Sequence, residues 1–200
     1  MKTKRCERCR EPLGVRHAHN ARFCSGRCRM AAHRASHKQA DPLPDAMTRR
    51  RQWVRRTERK VPLSVVGSRP RPASSTDPDT WSTYSTASRS TAGAGLGFVL
   101  SAMDRLVCID LDHALLDGEL RPWARRIVDS LPETYIEVSP SGTGLHIWGF
   151  GVLERGRRIR RGDSAVEIYD RGRYITVTRE PFENAPSKLA DLTRMIADLL

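Results

Sequence analysis

The sequence lacks the long hydrophobic runs and the leader that a membrane or secreted protein needs. Its longest apolar stretches, such as residues 95–100, are far shorter than the roughly 20 residues of a membrane-spanning helix. The amino terminus is charged and no apolar segment follows it, so no secretory signal is visible. These absences predict no membrane partner and place the chain in a reducing cytoplasm.

Acidic residues are scarce in the first third of the chain. Residues 1–72 hold 20 Lys and Arg against 5 Asp and Glu, whereas residues 73–200 hold 15 against 18. The positive charge behind the formal net charge of +12 therefore lies in residues 1–72, and residues 73–200 are nearly neutral. Such a surplus indicates a polyanionic partner, nucleic acid before any other.

Cysteine is also sparse, yet four of the five cysteines form two close pairs near the amino terminus. Cys6 lies three residues before Cys9, and Cys24 lies four before Cys28. Each pair can present two thiolates to one ion, and two such turns close a tetrahedral zinc site. The alternative is four unrelated thiols. The second pair and its surroundings resemble half of a short zinc ribbon, so residues 1–40 are predicted to be a zinc-ribbon-like, nucleic-acid-binding segment.

Prolines separate the zinc-ribbon-like segment, residues 1–40, from the rest of the chain. Residues 41–45 read DPLPD, which a helix cannot easily cross, and residues 49–51 are three arginines. The arginine run is either a solvated surface or an arm that contacts phosphates. We therefore predict a basic Pro/Arg linker over residues 41–52 and a second domain over residues 53–200.

Two carboxylates end an apolar, strand-like run in the body. Asp110 and Asp112 lie two residues apart, and side chains with that spacing project from the same face of a strand. Two like charges held so close are costly unless a cation lies between them, which points to a divalent metal. Glu167 lies in a later strand-like run. It is either exposed on the outer face of a half-buried strand or the third carboxylate of the metal site.

A loop of small residues separates two further strand-like runs. It contains Ser139, Ser141 and Gly142 and leads to His146 at the start of the next strand. Small hydroxyl and glycine residues let a backbone approach phosphate oxygens closely. Most such loops are plain hairpin turns, but the position of this one soon after an Asp-x-Asp pair favours a phosphate contact.

Residues 53–180 resemble the bifunctional DNA primase/polymerase domain of the archaeo-eukaryotic primase superfamily, in the form carried by phages and plasmids. The resemblance rests on the order and spacing of residues 60–62 (KVP), 73–78 (ASSTDP) with Trp81, 95–99 (GLGFV), 109–113 (IDLDH), 139–147 (SPSGTGLHI) and 166–178 (VEIYDRGRYITVT). It implies an α+β fold, an RNA-recognition-motif-like antiparallel sheet with packed helices, in the cytoplasm of a bacterial host cell.

The resemblance also implies roles for these residues. Asp110, Asp112 and Glu167 match metal-binding acids for two Mg²⁺ or Mn²⁺ ions. The histidine at 146 with the serine at 141 matches a contact to the triphosphate of the incoming nucleotide. Arg173 and Lys60 are further phosphate contacts. The expected partners are a single-stranded DNA template, nucleoside triphosphates and a replicative helicase, since the sequence contains no Gly-x-x-x-x-Gly-Lys loop.

Three functions remain open from the sequence. A template-dependent nucleotidyltransferase that makes or extends primers is the leading hypothesis. A metal-dependent nuclease uses the same carboxylates but needs no triphosphate site. A catalytically inactive, zinc-dependent DNA-binding or regulatory module is the third. The sequence does not choose between ribonucleotides and deoxynucleotides.

Overall fold

The structure is a computed structural model in which residues 4–14, 18, 20–29, 41–161 and 164–200 are described. The chain divides into two compact units, Met1–Asp41 and Pro42–Leu200, which we call the head and the body. The body has antiparallel sheets and a few short helices, so the predicted α+β class is confirmed at that level.

The described part of the head is a small hairpin and one turn of helix. The Cys6 amide donates to the carbonyl of Glu11, and Arg5 bridges Pro12 across the hairpin. Residues 26–29 are helical, and the Ser25 hydroxyl accepts the amide of Cys28 as an amino-terminal cap. The rest of the predicted basic helix lies outside the described residues.

The described residues of the body form four short α-helices, one 3-10 helix (Pro78–Thr80) and thirteen strands. The helices are α1 (Asp45–Thr48), α2 (Tyr84–Arg89), α3 (Pro122–Asp129) and α4 (Thr193–Leu199). The strands are β1 (Trp53–Arg56), β2 (Pro62–Ser64), β3 (Arg71–Pro72), β4 (Gly95–Leu100), β5 (Leu106–Asp112), β6 (Leu115–Leu116), β7 (Glu119–Leu120), β8 (Ile136–Val138), β9 (Leu145–Phe150), β10 (Arg157–Arg161), β11 (Ser164–Tyr169), β12 (Arg173–Val177) and β13 (Ala190–Asp191).

Two main sheets form the body. One has the order β12-β4-β1-β2-β3, and the other has the order β10-β11-β5-β9-β13, with β8 also paired to β9. All pairings are antiparallel except that of β13 with β9. A third, two-stranded sheet joins β6 and β7.

Strand β5 explains why the candidate site lies where it does. Its residues alternate between two hydrophobic clusters: Ile109 and its neighbours on one face pack with α3 and α4. On the other face, Leu106 and Cys108 pack against Phe98 of the first sheet. Asp110 continues that second face beyond the packed aromatic residues, so it emerges where the apolar contact between the sheets ends. Burial raises the pKa of the Cys108 thiol, so Cys108 acts as a small neutral side chain in this cluster.

The structure differs from the predicted linker over residues 41–52. Leu43 and Met47 are buried in the cluster that contains Trp53, and the Trp53 indole N–H donates to the carbonyl of Met47. The body therefore begins at Pro42, because these two apolar side chains anchor the segment to the core. The adjacent arginine run is also held, since Arg50 forms a 2.6 Å ion pair with Asp104.

Candidate functional site

A row of polar side chains crosses the middle of the six-stranded sheet. The register pairs Glu167 of β11 with Asp110 of β5, and Asp110 with His146 of β9. Opposed residues of antiparallel strands project from the same face. His146 Nε2 lies 3.8 Å from Asp110 Oδ2, and Asp112 projects from the same face two residues further along β5. The structure thus brings the three predicted acids and the predicted histidine together.

The electrostatics of Asp110 favour a bound cation. Burial raises the pKa of Asp110 to about 6, and the charges of Asp112 and Glu167 act in the same direction, opposed by His146 and Lys60. Ionised carboxylates this close repel one another in a poorly solvated site. Carboxylate oxygens are the donors that Mg²⁺ and Mn²⁺ prefer, so the chemistry of these residues suits such an ion, although their ligand atoms do not all lie within 4.8 Å of one another.

Glu167 already has polar partners on its own side of the row. Arg158 Nε donates to its Oε1 at 2.7 Å, and the Tyr169 hydroxyl donates to its Oε2 at 2.9 Å. The Arg173 guanidinium stacks on the Tyr169 ring, 4.9 Å from its centroid. Arg173, a predicted phosphate contact, is therefore connected to Glu167 through the side chain of Tyr169.

Lys60 approaches the row from the other sheet. It occupies the turn between β1 and β2 with φ +58°, and its carbonyl accepts the Tyr174 hydroxyl. Its positive charge acts against the rise in the pKa of Asp110.

Sequence reasoning missed Glu137, which ends the row. It pairs with His146 in register and is fully buried, and its Oε1 lies 3.3 Å from His146 Nδ1. Its other hydrogen bonds come from uncharged donors. These are the side chains of Tyr135, Trp148 and Thr178 and the backbone amides of Thr178 and Arg179. The signal that the sequence offered was an acidic residue between the apolar residues Ile136 and Val138.

A basic cavity of about 590 Å³ adjoins this end of the row. The predicted loop residues Ser139, Ser141 and Gly142 line it, together with Arg55, Arg56 and Arg179, which the sequence analysis did not select. The link to the row is direct, since the amide of Arg179 donates to Glu137 Oε2 at 3.0 Å.

The loop beside the cavity depends on its glycines. Gly142 has φ +75°, and its amide donates to the carbonyl of Ser139 to close a tight turn. A Cβ on Gly144 would lie 2.8 Å from the carbonyl oxygen of Leu111, so only glycine allows this close approach. The Ser139 and Ser141 hydroxyls lie 3.0 Å apart.

The three arginines of the cavity form no ion pair with Glu180, the one acidic residue among the described residues that line it. None forms an ion pair with a carboxylate in the described part of the chain. Burial, then the neighbouring charges of Arg179 and Arg56, lowers the pKa of Arg55. Nε of Arg56 is buried without a hydrogen-bond partner. A polyanion in the cavity would relieve this repulsion.

The four cysteines of the head also come together. Their sulfur atoms all lie within 4.8 Å of one another, with 3.5 Å between Cys9 and Cys24 and 3.6 Å between Cys24 and Cys28. Four thiolates bound to zinc at about 2.3 Å have sulfurs about 3.8 Å apart, so the residues fit a zinc ion. The neighbouring thiols of Cys9 and Cys28 raise the pKa of Cys24 to about 12, which a bound dication would reverse.

Zinc removal is expected to unfold the head and leave the body folded. The head has little apolar packing, so metal binding supplies most of its folding free energy. A chelator should release about one zinc per chain, remove the head's protection from hydrogen exchange and leave the exchange of β5 and β9 unchanged. A Cys24→Ser variant should behave like the chelated protein. Loss of protection in β5 on chelation would contradict the independence of the two units.

Together, fold and site define an α+β protein with a carboxylate and histidine row beside a basic cavity. No protein-family model matches the chain. The chain is similar to the "DNA Primase-polymerase" of Nitratiruptor phage NrS-1, with 39% identity over 152 residues, which is 71% of this chain. It spans about a fifth (21%) of the length of that relative.

Among the described residues, none of the helices has the length and apolar content needed to cross a bilayer.

Proposed function

We propose that the body is a template-dependent nucleotidyltransferase of the primase-polymerase family that acts in phage or plasmid DNA replication. The observation that carries the proposal is the single row of Glu167, Asp110 and His146 next to a cavity lined by three arginines. The similarity to a phage DNA primase-polymerase supports the same role.

The acids of the row, Asp110, Asp112 and Glu167, would hold Mg²⁺ or Mn²⁺. When bound, such ions polarise the phosphoryl group and stabilise the attacking and leaving oxygens of an in-line displacement. His146 would contact the triphosphate, held in orientation through Nδ1 by Glu137. Arg55, Arg56 and Arg179 would neutralise its remaining charge, and the Ser139–Gly142 turn would bring hydroxyls and amides to its oxygens.

The reaction balances without any further reactant. The 3′-oxygen of a strand or of an initiating nucleotide bonds to the α-phosphorus, and the bond from that phosphorus to the β-phosphate oxygen breaks. The hydroxyl proton passes to water, and pyrophosphate leaves on the side opposite the attacking oxygen. The cavity is placed to receive the departing charge.

An incorporation assay tests this proposal. The full chain is incubated with Mn²⁺, labelled nucleotide and single-stranded template, with and without a primer. Lengthened or newly made strands are expected. Shortened template without incorporation would instead support the nuclease. Neither product, together with tight template binding, would support the inactive DNA-binding module.

The cavity favours synthesis over nucleolysis. A nuclease needs the carboxylates but has no triphosphate to neutralise. In a nuclease, the repulsion among three clustered arginines without ion-pair partners would destabilise the fold and serve no purpose. The head, with its zinc-fitting cysteines and basic composition, would hold the template backbone with an affinity that falls steeply with salt. No observation identifies a helicase partner, which stays a prediction.

A further inference from the structure

The edge strand β10 turns two arginines toward the carboxylates. The register places Arg158 opposite Glu167, in the row of Asp110, and Arg160 opposite Ala165, in the row of Asp112. Both arginines therefore share the face of the proposed metal site. Arg158 is half exposed and Arg160 is exposed, so both are open to a ligand.

Charges on edge strands often serve only to block pairing with other chains. Two observations separate these arginines from that role. Arg158 uses its Nε to hold Glu167, which ties it to the site. Arg160 makes no ion pair with any described carboxylate, and in the register only Ala165 lies between it and Asp112.

The position of the basic cavity determines which substrate reaches β10. The sheet order puts β9 and then β8, which leads into the cavity loop, on one side of β5, and β11 and then β10 on the other. Neighbouring strands are about 4.8 Å apart, so β8 and β10 each lie about 10 Å from β5 in opposite directions. In-line displacement requires the attacking and leaving oxygens on opposite sides of the α-phosphorus.

We propose that Arg158 and Arg160 bind the phosphodiester backbone of the strand that supplies the 3′-hydroxyl. This inference rests on the proposed function, because the cavity defines the triphosphate side. The primer strand then runs over strands β10 and β11, with its last phosphates at the two guanidinium groups and its 3′-oxygen next to Asp110 and Asp112. The nucleotide that starts a new strand occupies the same place.

Arg160 is the better residue to test, because Arg158 also contacts a proposed metal ligand. We expect Arg160→Ala to raise the KM for primer about five- to tenfold while the KM for nucleotide changes less than about twofold. The salt dependence of primer binding should fall by about 0.7 in log–log slope, as for one lost contact to single-stranded DNA. Arg160→Lys should recover most of the primer affinity.

The matched control is Arg194→Ala, which removes an exposed charge from α4, the helix packed on the opposite face of the sheet. Equal effects of the two variants would overturn the proposal, because net charge alone would then explain them. A raised KM for nucleotide with an unchanged KM for primer would also overturn it, since the triphosphate would then lie at β10.

Photo-crosslinking separates a failure of this inference from a failure of the proposed function. A primer with a photoreactive base next to its 3′ end is annealed to template and irradiated with the full chain, without nucleotide. Crosslinks within residues 157–169 are expected even if the protein proves inactive in synthesis. Crosslinks concentrated at Arg55 and Arg179 would overturn the placement.

Discussion

Asp110→Asn is expected to abolish nucleotide incorporation while making the metal-free protein more stable. A bound divalent ion contributes several kcal/mol to phosphoryl transfer, so loss of the central carboxylate should lower the rate about a thousandfold or more. The stability gain has a different cause. Asp110 is partly buried, with Asp112 and Glu167 nearby, and partial burial raises its pKa to about 6 from an ordinary value of 3.8.

The pH dependence of that gain follows from the raised pKa. A carboxyl that is easier to protonate in the folded state contributes its full stability below about pH 4 and loses it as the pH rises through about 6. A pKa difference of this size between the folded and unfolded chain corresponds to roughly 3 kcal/mol, or several degrees in Tm for a chain of this length. Without metal, the variant should therefore melt above the wild type at pH 8 and with it at pH 4.

Excess Mn²⁺ should reverse the order of melting at pH 8, because only the wild type gains the binding free energy of the ion. Thermal unfolding in chelator and in Mn²⁺ measures both effects. Asp129→Asn, which removes the same charge from an exposed helix end, should change neither property. Incorporation within tenfold of wild type by Asp110→Asn would rule out Asp110 as a metal ligand.

Glu137→Leu is expected to be too unstable to purify as a folded protein. Leucine fills the space but leaves the amides of Thr178 and Arg179 and the Trp148 indole N–H without the acceptor that Glu137 provides. Each buried, unpaired donor costs about 1–3 kcal/mol, and the total approaches the 5–15 kcal/mol that stabilises a typical domain.

Glu137→Gln keeps this prediction testable if the leucine variant does not fold. The amide group retains one acceptor but directs an N–H₂ group at donors, so we expect a loss of about 2–4 kcal/mol in urea unfolding. Glu180→Gln, an exposed glutamate just after β12, is the matched control and should change stability by less than about 0.5 kcal/mol. An unchanged free energy of unfolding in Glu137→Gln would show that these hydrogen bonds do not stabilise the body.

Local pattern accounts for the part of the site that the sequence predicted. Asp110 and Asp112 lie at the end of a continuous apolar run, and strand geometry alone places them on one face. The short spacing within each cysteine pair brings two sulfurs together in one turn, so the sulfur cluster needs only two such turns. The small residues from Ser139 to Gly142 likewise encode a tight turn by conformation rather than by distant contacts.

Residues distant in sequence account for what the sequence analysis missed. Arg55 and Arg179 are separated by more than a hundred positions, and only the pairing of β1 and β12 with β4 brings them to one cavity. Residues 42–52 looked like a linker because proline and arginine dominate their composition. Leu43 and Met47 join the core only because Trp53 provides a surface for them.

By itself the sequence determined the elements with local causes: the acidic strand end, the serine and glycine turn, the cysteine knuckles and the basic head. The tertiary structure decided the strand order, and with it that Glu167, Asp110, His146 and Glu137 form one row with cations at both ends. The physical reason is that strand alternation specifies a face from one segment alone. The neighbour across that face is chosen by the packing of the whole core.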